Sequence, residues 1–175
     1  MTWNAGLTAA TTRTATAVAV TPEERTWLLV APEMVTSPET GLQYRIGRLL
    51  GVGGFGQVYL ADRLGRSKTV PQRVCVKVST RIDGWLREAY FGQLLDAHPR
   101  AIRVYDTFPL VRPGGRVLYC LALEYARHGD LSTALQRRGK GWHESIVRRE
   151  IAGVLQVLGT LHRGQLLHRD LTPMN

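Results

Sequence analysis

The sequence predicts an α+β fold in two parts, a sheet-rich N-terminal portion followed by helices, and three observations carry that expectation. Strand-like runs recur at 44–50, 57–61, 74–78, 102–108 and 117–125, rich in valine, leucine and tyrosine and bounded by glycine and proline. A single helical pattern, 83–97, interrupts them, with Leu86, Tyr90, Leu94 and Leu95 on one stripe. Beyond Gly129-Asp130, a pair suited to a helix cap, the chain reads as helix, and over 145–162 Val147, Ile151, Val154, Leu155, Leu158 and Leu161 make one apolar face. Five strands with one inserted helix, then helices alone, give two lobes in which sheet and helix are segregated.

Each element has a local reason. Residues 1–36 are rich in alanine and threonine, carry Pro22 and Pro32 with Pro38 just beyond, and lack periodicity. They are expected to be a disordered leader in which 27–30 packs at most as a short strand or staple. From Tyr44 the pattern strand, glycine cluster, strand is that of a hairpin. The run 74–78 is a third strand, and Pro113-Gly114-Gly115 turns the fourth into the fifth. The expected divisions are 1–36 as leader, 44–126 as the sheet lobe with its connecting segment, and 127–175 as a helical part.

Composition narrows the partners. The chain has 175 residues and a formal net charge of +9, almost all of the positive charge being arginine. No basic run interleaves with aromatics, so the arginines read as a solvated surface and no nucleic-acid partner is expected. Cys75 and Cys120 sit in apolar strand-like runs without metal-ligand spacing, which predicts buried reduced thiols and a cytoplasmic setting. Thr11, Thr12, Arg13 and Thr14 interrupt any signal-like stretch, and no run is long and apolar enough to predict a membrane segment.

The chemistry begins at Gly51-Val52-Gly53-Gly54-Phe55-Gly56-Gln57-Val58, a G-x-G-x-x-G-x-V string. Dinucleotide-binding folds use the same glycines, but there the turn opens a helix. Here it feeds a strand, which suits a hairpin whose backbone N–H groups close over phosphates. Lys77, one of only three lysines, stands in Val74-Cys75-Val76-Lys77-Val78. Period-two alternation puts Cys75 and Lys77 on one face and the valines on the other. An ammonium among valines requires an anion, and Glu88, midway along the predicted helix, is the natural partner.

With these motifs in order, and His168-Arg169-Asp170-Leu171-Thr172-Pro173-Met174-Asn175 spelling H-R-D-L-x-x-x-N after them, the chain resembles a eukaryotic-like serine/threonine protein kinase, one of bacterial type, from about Tyr44 to Asn175. The resemblance implies a five-stranded antiparallel N-lobe with one inserted helix and the first helices of a helical C-lobe. It implies ATP and Mg²⁺ as cofactors, and a protein substrate whose Ser/Thr hydroxyl receives the γ-phosphate. Gly51, Gly53, Gly54, Phe55 and Gly56 would cover the phosphates, and Lys77 would hold them while paired with Glu88. Val58 and Cys75 would line the adenine pocket, with Cys75 a bulkier roof than the family's usual alanine. Leu123 matches the gatekeeper, Glu124 and Ala126 would bond adenine through their backbones, and Asp130 aligns with the residue that touches ribose. Asp170 would be the catalytic base, Asn175 a Mg²⁺ ligand, and His168 a hydrogen-bonding scaffold. Arg169 would pair with a phosphorylated or acidic activation segment.

Two departures qualify what the resemblance implies. Thr172 stands where such kinases carry a lysine that steadies the γ-phosphate. The D-F-G and A-P-E motifs do not occur in these residues, so the domain is expected to be truncated at the end of its catalytic loop. On that basis the chain alone is expected to be aggregation-prone, with the apolar face of 147–161 uncovered, and a weak or inactive phosphotransferase. The alternative is a non-catalytic module that binds nucleotide or another kinase.

Overall fold

The structure, a computed structural model, describes residues 26–174. The chain divides into two compact units, with the break between Arg127 and His128.

The first unit is a six-stranded antiparallel sheet with one helix. Its strands are β1 (Met34–Thr36), β2 (Gln43–Gly53), β3 (Gly56–Leu64), β4 (Arg73–Ser79), β5 (Val104–Val111) and β6 (Val117–Glu124), in the order β1-β2-β3-β4-β6-β5. The helix α1 (Ile82–Leu94) connects β4 to β5. Alternation along the central strands sorts the side chains as predicted. Val74, Val76 and Val78 of β4 are fully buried on one face with Tyr59, Ala61, Leu118, Cys120 and Ala122, while Cys75 and Lys77 point to the other. Each such fully buried aliphatic side chain contributes roughly 1.5–3 kcal/mol of transfer free energy. Both cysteines are free and buried, and burial pushes their thiols up, to about 11 for Cys75 and about 12 for Cys120.

Two expectations are corrected here. The sheet has six strands rather than five, and the extra one comes from the predicted leader. Residues 1–25 lie outside the described residues, but 26–36 are folded. Leu29 and Val35 are each only 1 % exposed in the core, and β1 pairs with β2 at Met34↔Arg45, Val35↔Tyr44 and Thr36↔Gln43. A three-residue strand with one buried side chain has no periodicity to detect, and its stability comes from the strand beside it.

A buried carboxylate holds this segment down. Asp106 of β5 accepts hydrogen bonds from the hydroxyls of Ser37 at 3.2 Å, Thr40 at 2.9 Å and Tyr44 at 2.9 Å. Asp106, Ser37 and Tyr44 are all buried, so the Ser37 and Tyr44 bonds are made in a low dielectric where an unmade one is costly. Burial first, then the Asp106 charge, pushes the Tyr44 phenol far above its ordinary value.

The helix α1 also differs from expectation. It ends at Leu94 instead of 97, and of its predicted stripe Leu86, Tyr90 and Leu94 are exposed while Leu95, at the C-cap, is half-buried. The face turned to the sheet carries Trp85, Glu88, Ala89 and Gly92. Trp85 Nε1 donates to the Cys120 carbonyl at 2.9 Å and its ring lies 5.3 Å from that of Tyr119. At Gly92 a Cβ would sit 2.0 Å from Val104 Cγ2, so glycine is what lets helix and strand approach.

The second unit holds α2 (Leu131–Arg138) and α3 (Glu144–Arg163). Asp130 caps α2 through Thr133, and Gly139, at φ 68°, closes it in the left-handed conformation. His143 caps α3, accepting from the Ser145 N–H. Of the six residues predicted to form the apolar face of α3, Leu161 is buried and Leu158 half-buried. Val147, Ile151, Val154 and Leu155 are exposed. Periodicity located the helix, and packing in this unit uses only part of the stripe.

Replacing Asp106 with alanine strands two buried hydroxyls and should cost about 2–4 kcal/mol in urea-induced unfolding. Because the Tyr44 proton is held more tightly in the folded chain, its contribution is intact below about pH 10 and falls as pH rises beyond it. In Tyr44→Phe the alkaline decline in stability, followed by circular dichroism, should be shallower.

Candidate functional site

Within the sheet unit the predicted residues lie at and beside the β2–β3 turn. The turn spans Gly53 to Gly56, and β2 reaches it through irregular pairing between Ile46 and Gly51. Glycine is obligatory at one of its positions. Gly56 has φ +126°, and a Cβ there would lie 2.1 Å from the Val78 carbonyl oxygen. At Gly51, Gly53 and Gly54 a Cβ would meet open space. Those three leave the outer backbone of the turn uncrowded, as a surface that closes on a ligand requires.

Lys77 and Glu88 are brought together. Lys77 Nζ donates to Glu88 Oε1 at 2.5 Å, with the two side chains 20 % and 34 % exposed. That exposure leaves the ammonium reachable from solvent with capacity for further acceptors, since it carries three donors. The Phe55 ring, at the tip of the turn, has its centroid 5.7 Å from Lys77 Nζ, within cation–π range. Glycine turn, strand lysine and helix glutamate thus form one group. Its geometry depends on α1, because Trp85 and Gly92 fix the helix on either side of Glu88. Those two positions escaped the sequence reading, which followed large aliphatic side chains; a tryptophan and a glycine seven apart on one helical face were the available signal.

The other predicted lining residues continue along the same strands. Val58 pairs with Lys77 and Cys75 pairs with Leu123, placing Val58, Cys75 and Leu123 on adjacent strands. Glu124 ends β6, where it pairs with Val74, and Ala126 follows in an exposed segment. Leu28 of the folded leader belongs to a separate space, one that none of Val58, Cys75, Lys77 or Leu123 lines. It lines this space, of about 290 Å³, together with Val52, Gly53, Gly54 and Gln57.

Asp130 and Asp170 belong to the second unit. Asp130 Oδ1 accepts the Thr133 N–H at 2.7 Å and Oδ2 accepts the Thr133 hydroxyl at 2.8 Å. Those two bonds hold its carboxyl below the usual aspartate range, so its capping is present above about pH 4 and is lost as pH falls through its lowered value. In the terminal loop Arg169 takes φ 64°, which costs a non-glycine residue about 1–2 kcal/mol. Arg169 is exposed and Asp170 half-buried, with the Asp170 N–H donating to His168 Nδ1 at 3.3 Å. The loop is tied back by the Ser132 N–H to the Pro173 carbonyl at 2.8 Å. Asn175 lies outside the described residues. Among the described residues no three His, Cys, Asp or Glu side chains gather to hold a metal, and none of their helices is long and apolar enough to cross a membrane.

Comparison with known proteins covers most of the same residues. A family model described as protein kinase domain matches 44–175. The chain is 29 % identical over 146 residues to the serine/threonine-protein kinase PknB of Mycobacterium tuberculosis, covering 81 % of this chain and 23 % of that protein. It is 32 % identical over 139 residues to the serine/threonine-protein kinase pkn3 of Myxococcus xanthus, covering 76 % and 24 %. To the Aurora kinase of Schizosaccharomyces pombe it is 31 % identical over 135 residues, covering 75 % and 36 %. The chain therefore spans well under half the length of each of these relatives.

Gly92→Ala should push α1 off β5, costing about 1–3 kcal/mol of stability and lengthening the Lys77–Glu88 pair. Loss of the Lys77 ammonium to Glu88 carboxylate coupling, followed by NMR of the lysine side chain, checks it.

Proposed function

The chain belongs to the protein kinase family, and from that premise we propose that it binds ATP and takes part in transfer of the γ-phosphate to Ser/Thr hydroxyls of a protein substrate. The observation that carries the reading is the Lys77–Glu88 pair at 2.5 Å, with Phe55 of the glycine-rich turn over the same ammonium. A lysine already oriented by one carboxylate, with donors to spare, suits two phosphate oxygens better than a free, mobile lysine. The turn's backbone N–H groups would supply further donors to the phosphates.

Each residue then has a task its own chemistry permits. Lys77 neutralises the α- and β-phosphates, and Glu88 holds it in place. Val58, Cys75 and Leu123 offer an apolar surface to adenine, and the backbones of Glu124 and Ala126 offer hydrogen bonds to its edge. Asp130 serves ribose only by sharing oxygens already engaged by Thr133. In the transfer itself the substrate hydroxyl oxygen bonds to the γ-phosphorus, the bond to the β–γ bridging oxygen breaks and ADP departs. Asp170 orients the hydroxyl and accepts its proton. Mg²⁺ would accompany the triphosphate and neutralise its charge, with Asn175 as the expected protein ligand. The described residues do not by themselves form a metal site. The two buried free thiols suit a reducing compartment, and the cytoplasm is the setting proposed.

A second reading is favoured by Thr172, half-buried where the resemblance calls for a lysine. Without that charge the γ-phosphate is less well steadied, and the chain would bind nucleotide, or another kinase, without efficient turnover.

The enzyme reading and the nucleotide-binding form of the second expect ATP with Mg²⁺ to raise the melting temperature of the 1–175 chain and Lys77→Met to abolish the rise. No shift in the wild-type chain, or an equal one in Lys77→Met, would sink both of these and leave only the binding of another kinase. Transfer to a Ser/Thr peptide, measured with labelled ATP, separates them. The enzyme reading expects slow transfer that Asp170→Asn lowers by about 10²-fold or more; no transfer above a background indifferent to Asp170→Asn supports the binding module.

A further inference from the structure

We propose that residues 26–36 are a strap that sets the resting position of the glycine-rich turn, with Gln57 as the positioning residue between them. The nucleotide arm of this inference rests on the ATP-binding reading above; the structural arm does not.

Gln57 is the first residue after the obligatory glycine of the turn, and its side chain is buried, 8 % exposed. It faces the strap. Its Oε1 accepts the Leu28 N–H at 2.9 Å and the Tyr59 hydroxyl, and its Nε2 donates to the Thr26 carbonyl at 3.0 Å. A primary amide presents one acceptor and two donors on a rigid plane, so here it pairs with an extended backbone much as a neighbouring strand would. The Tyr59 hydroxyl in turn accepts the Leu29 N–H at 3.2 Å, while the Leu29 side chain enters the core. Glutamine is an expensive residue to bury unless its donors and acceptors are used. Here the amide oxygen and one Nε2–H are spent on the strap and on its neighbour Tyr59.

The other end of the strap is anchored separately. Glu33 forms an ion pair with Arg112, β1 pairs with β2, and Ser37 and Thr40 bond Asp106. The segment is thus held at both ends; its first residues meet the turn through Gln57, Tyr59 and Leu28, and Arg112 also donates to the Leu28 carbonyl at 3.5 Å.

Two features make this a control on the turn rather than general packing. Gly56 is packed against β4, where a Cβ would lie 2.1 Å from the Val78 carbonyl oxygen, and the next residue, Gln57, pairs with Val78 in the sheet. With Gly56 held against β4 and Gln57 against the strap, travel is confined to 51–55. Beside that stretch, Leu28 lines with Val52, Gly53 and Gly54 a space of about 290 Å³. It is the space the turn has to move into, and Leu28 is the stop at its wall. Loss of the strap would free the turn to swing outward and weaken its closure over phosphates.

The test uses the full chain. In Gln57→Leu, amide hydrogen exchange at 51–58 without nucleotide should accelerate roughly tenfold, and the Kd for ATP with Mg²⁺ should rise about 5- to 30-fold. Gln57→Glu keeps the acceptor for Leu28 and loses the donor to Thr26, so it should fall between. Phe108→Leu, which loosens the core shared with the strap and the Tyr44 stack at its far end without touching the hydrogen bonds of Gln57, supplies the comparison for mere loss of stability and should leave exchange at 51–58 as in the wild type. Leu28→Ala removes the stop without disturbing the buried amide, and should accelerate exchange at 52–54 even if Gln57→Leu fails to fold. Wild-type exchange rates at the turn in both Leu28→Ala and any folded Gln57 variant would overturn the proposal, as would equal acceleration in Phe108→Leu. A wild-type chain that does not bind ATP would refute the nucleotide reading alone, leaving the exchange arm to decide the strap.

Discussion

The alternation of β4 is the constraint on which the first unit depends. Three valines pointing one way commit that face of the sheet to the core, and the same geometry commits Lys77 to the other. A one-residue slip in register would bury an ammonium and expose the valines, a change comparable to the whole net stability of a domain. The register with β3 and β6 is therefore fixed by hydrophobic burial, and the placement of Lys77 beside the glycine-rich turn comes with it. The Lys77–Glu88 pair is an outcome of that packing more than a cause of it. At one-fifth to one-third exposure its own contribution to stability is modest, because water screens it.

The helix carrying Glu88 is positioned by contacts of a different kind. Its sheet-facing side has a tryptophan whose indole is tied to a strand carbonyl and a glycine that admits Val104. Small and polar-tipped residues fix distance and rotation more tightly than a stripe of leucines, which tolerates sliding. The larger apolar residues of α1, and those at 147–155 of α3, face solvent instead. Helices in this protein are thus located by apolar periodicity, whereas their inward faces are selected by fit.

The folded leader brings a second layer to the sheet. Leu29 and Val35 complete a core that would otherwise open to water above β2 and β3, and the Asp106 hydroxyl cluster seals its far end. The same segment reaches the glycine-rich turn through one buried amide. Core completion and control of the turn are therefore carried by one stretch of chain. Any process acting on the leader would be felt at the turn without a change in the turn's own residues.

Read alone, the residues determined the five principal strands, the helix between the third and fourth, the faces of Cys75 and Lys77, and the pairing of Lys77 with Glu88. Each follows from short-range rules: period-two alternation, glycine at turns, and the cost of an uncompensated ammonium. The sixth strand, the burial of Leu29, the inward face of α1 and the role of Gln57 were decided by tertiary structure. None has a local signature, since a three-residue strand is too short to show a period, a glycine on a helix face looks like a weakness, and a glutamine in a strand looks like surface. Their energies arise only when a second segment, distant in sequence, supplies the carbonyl, the amide or the open space that each requires.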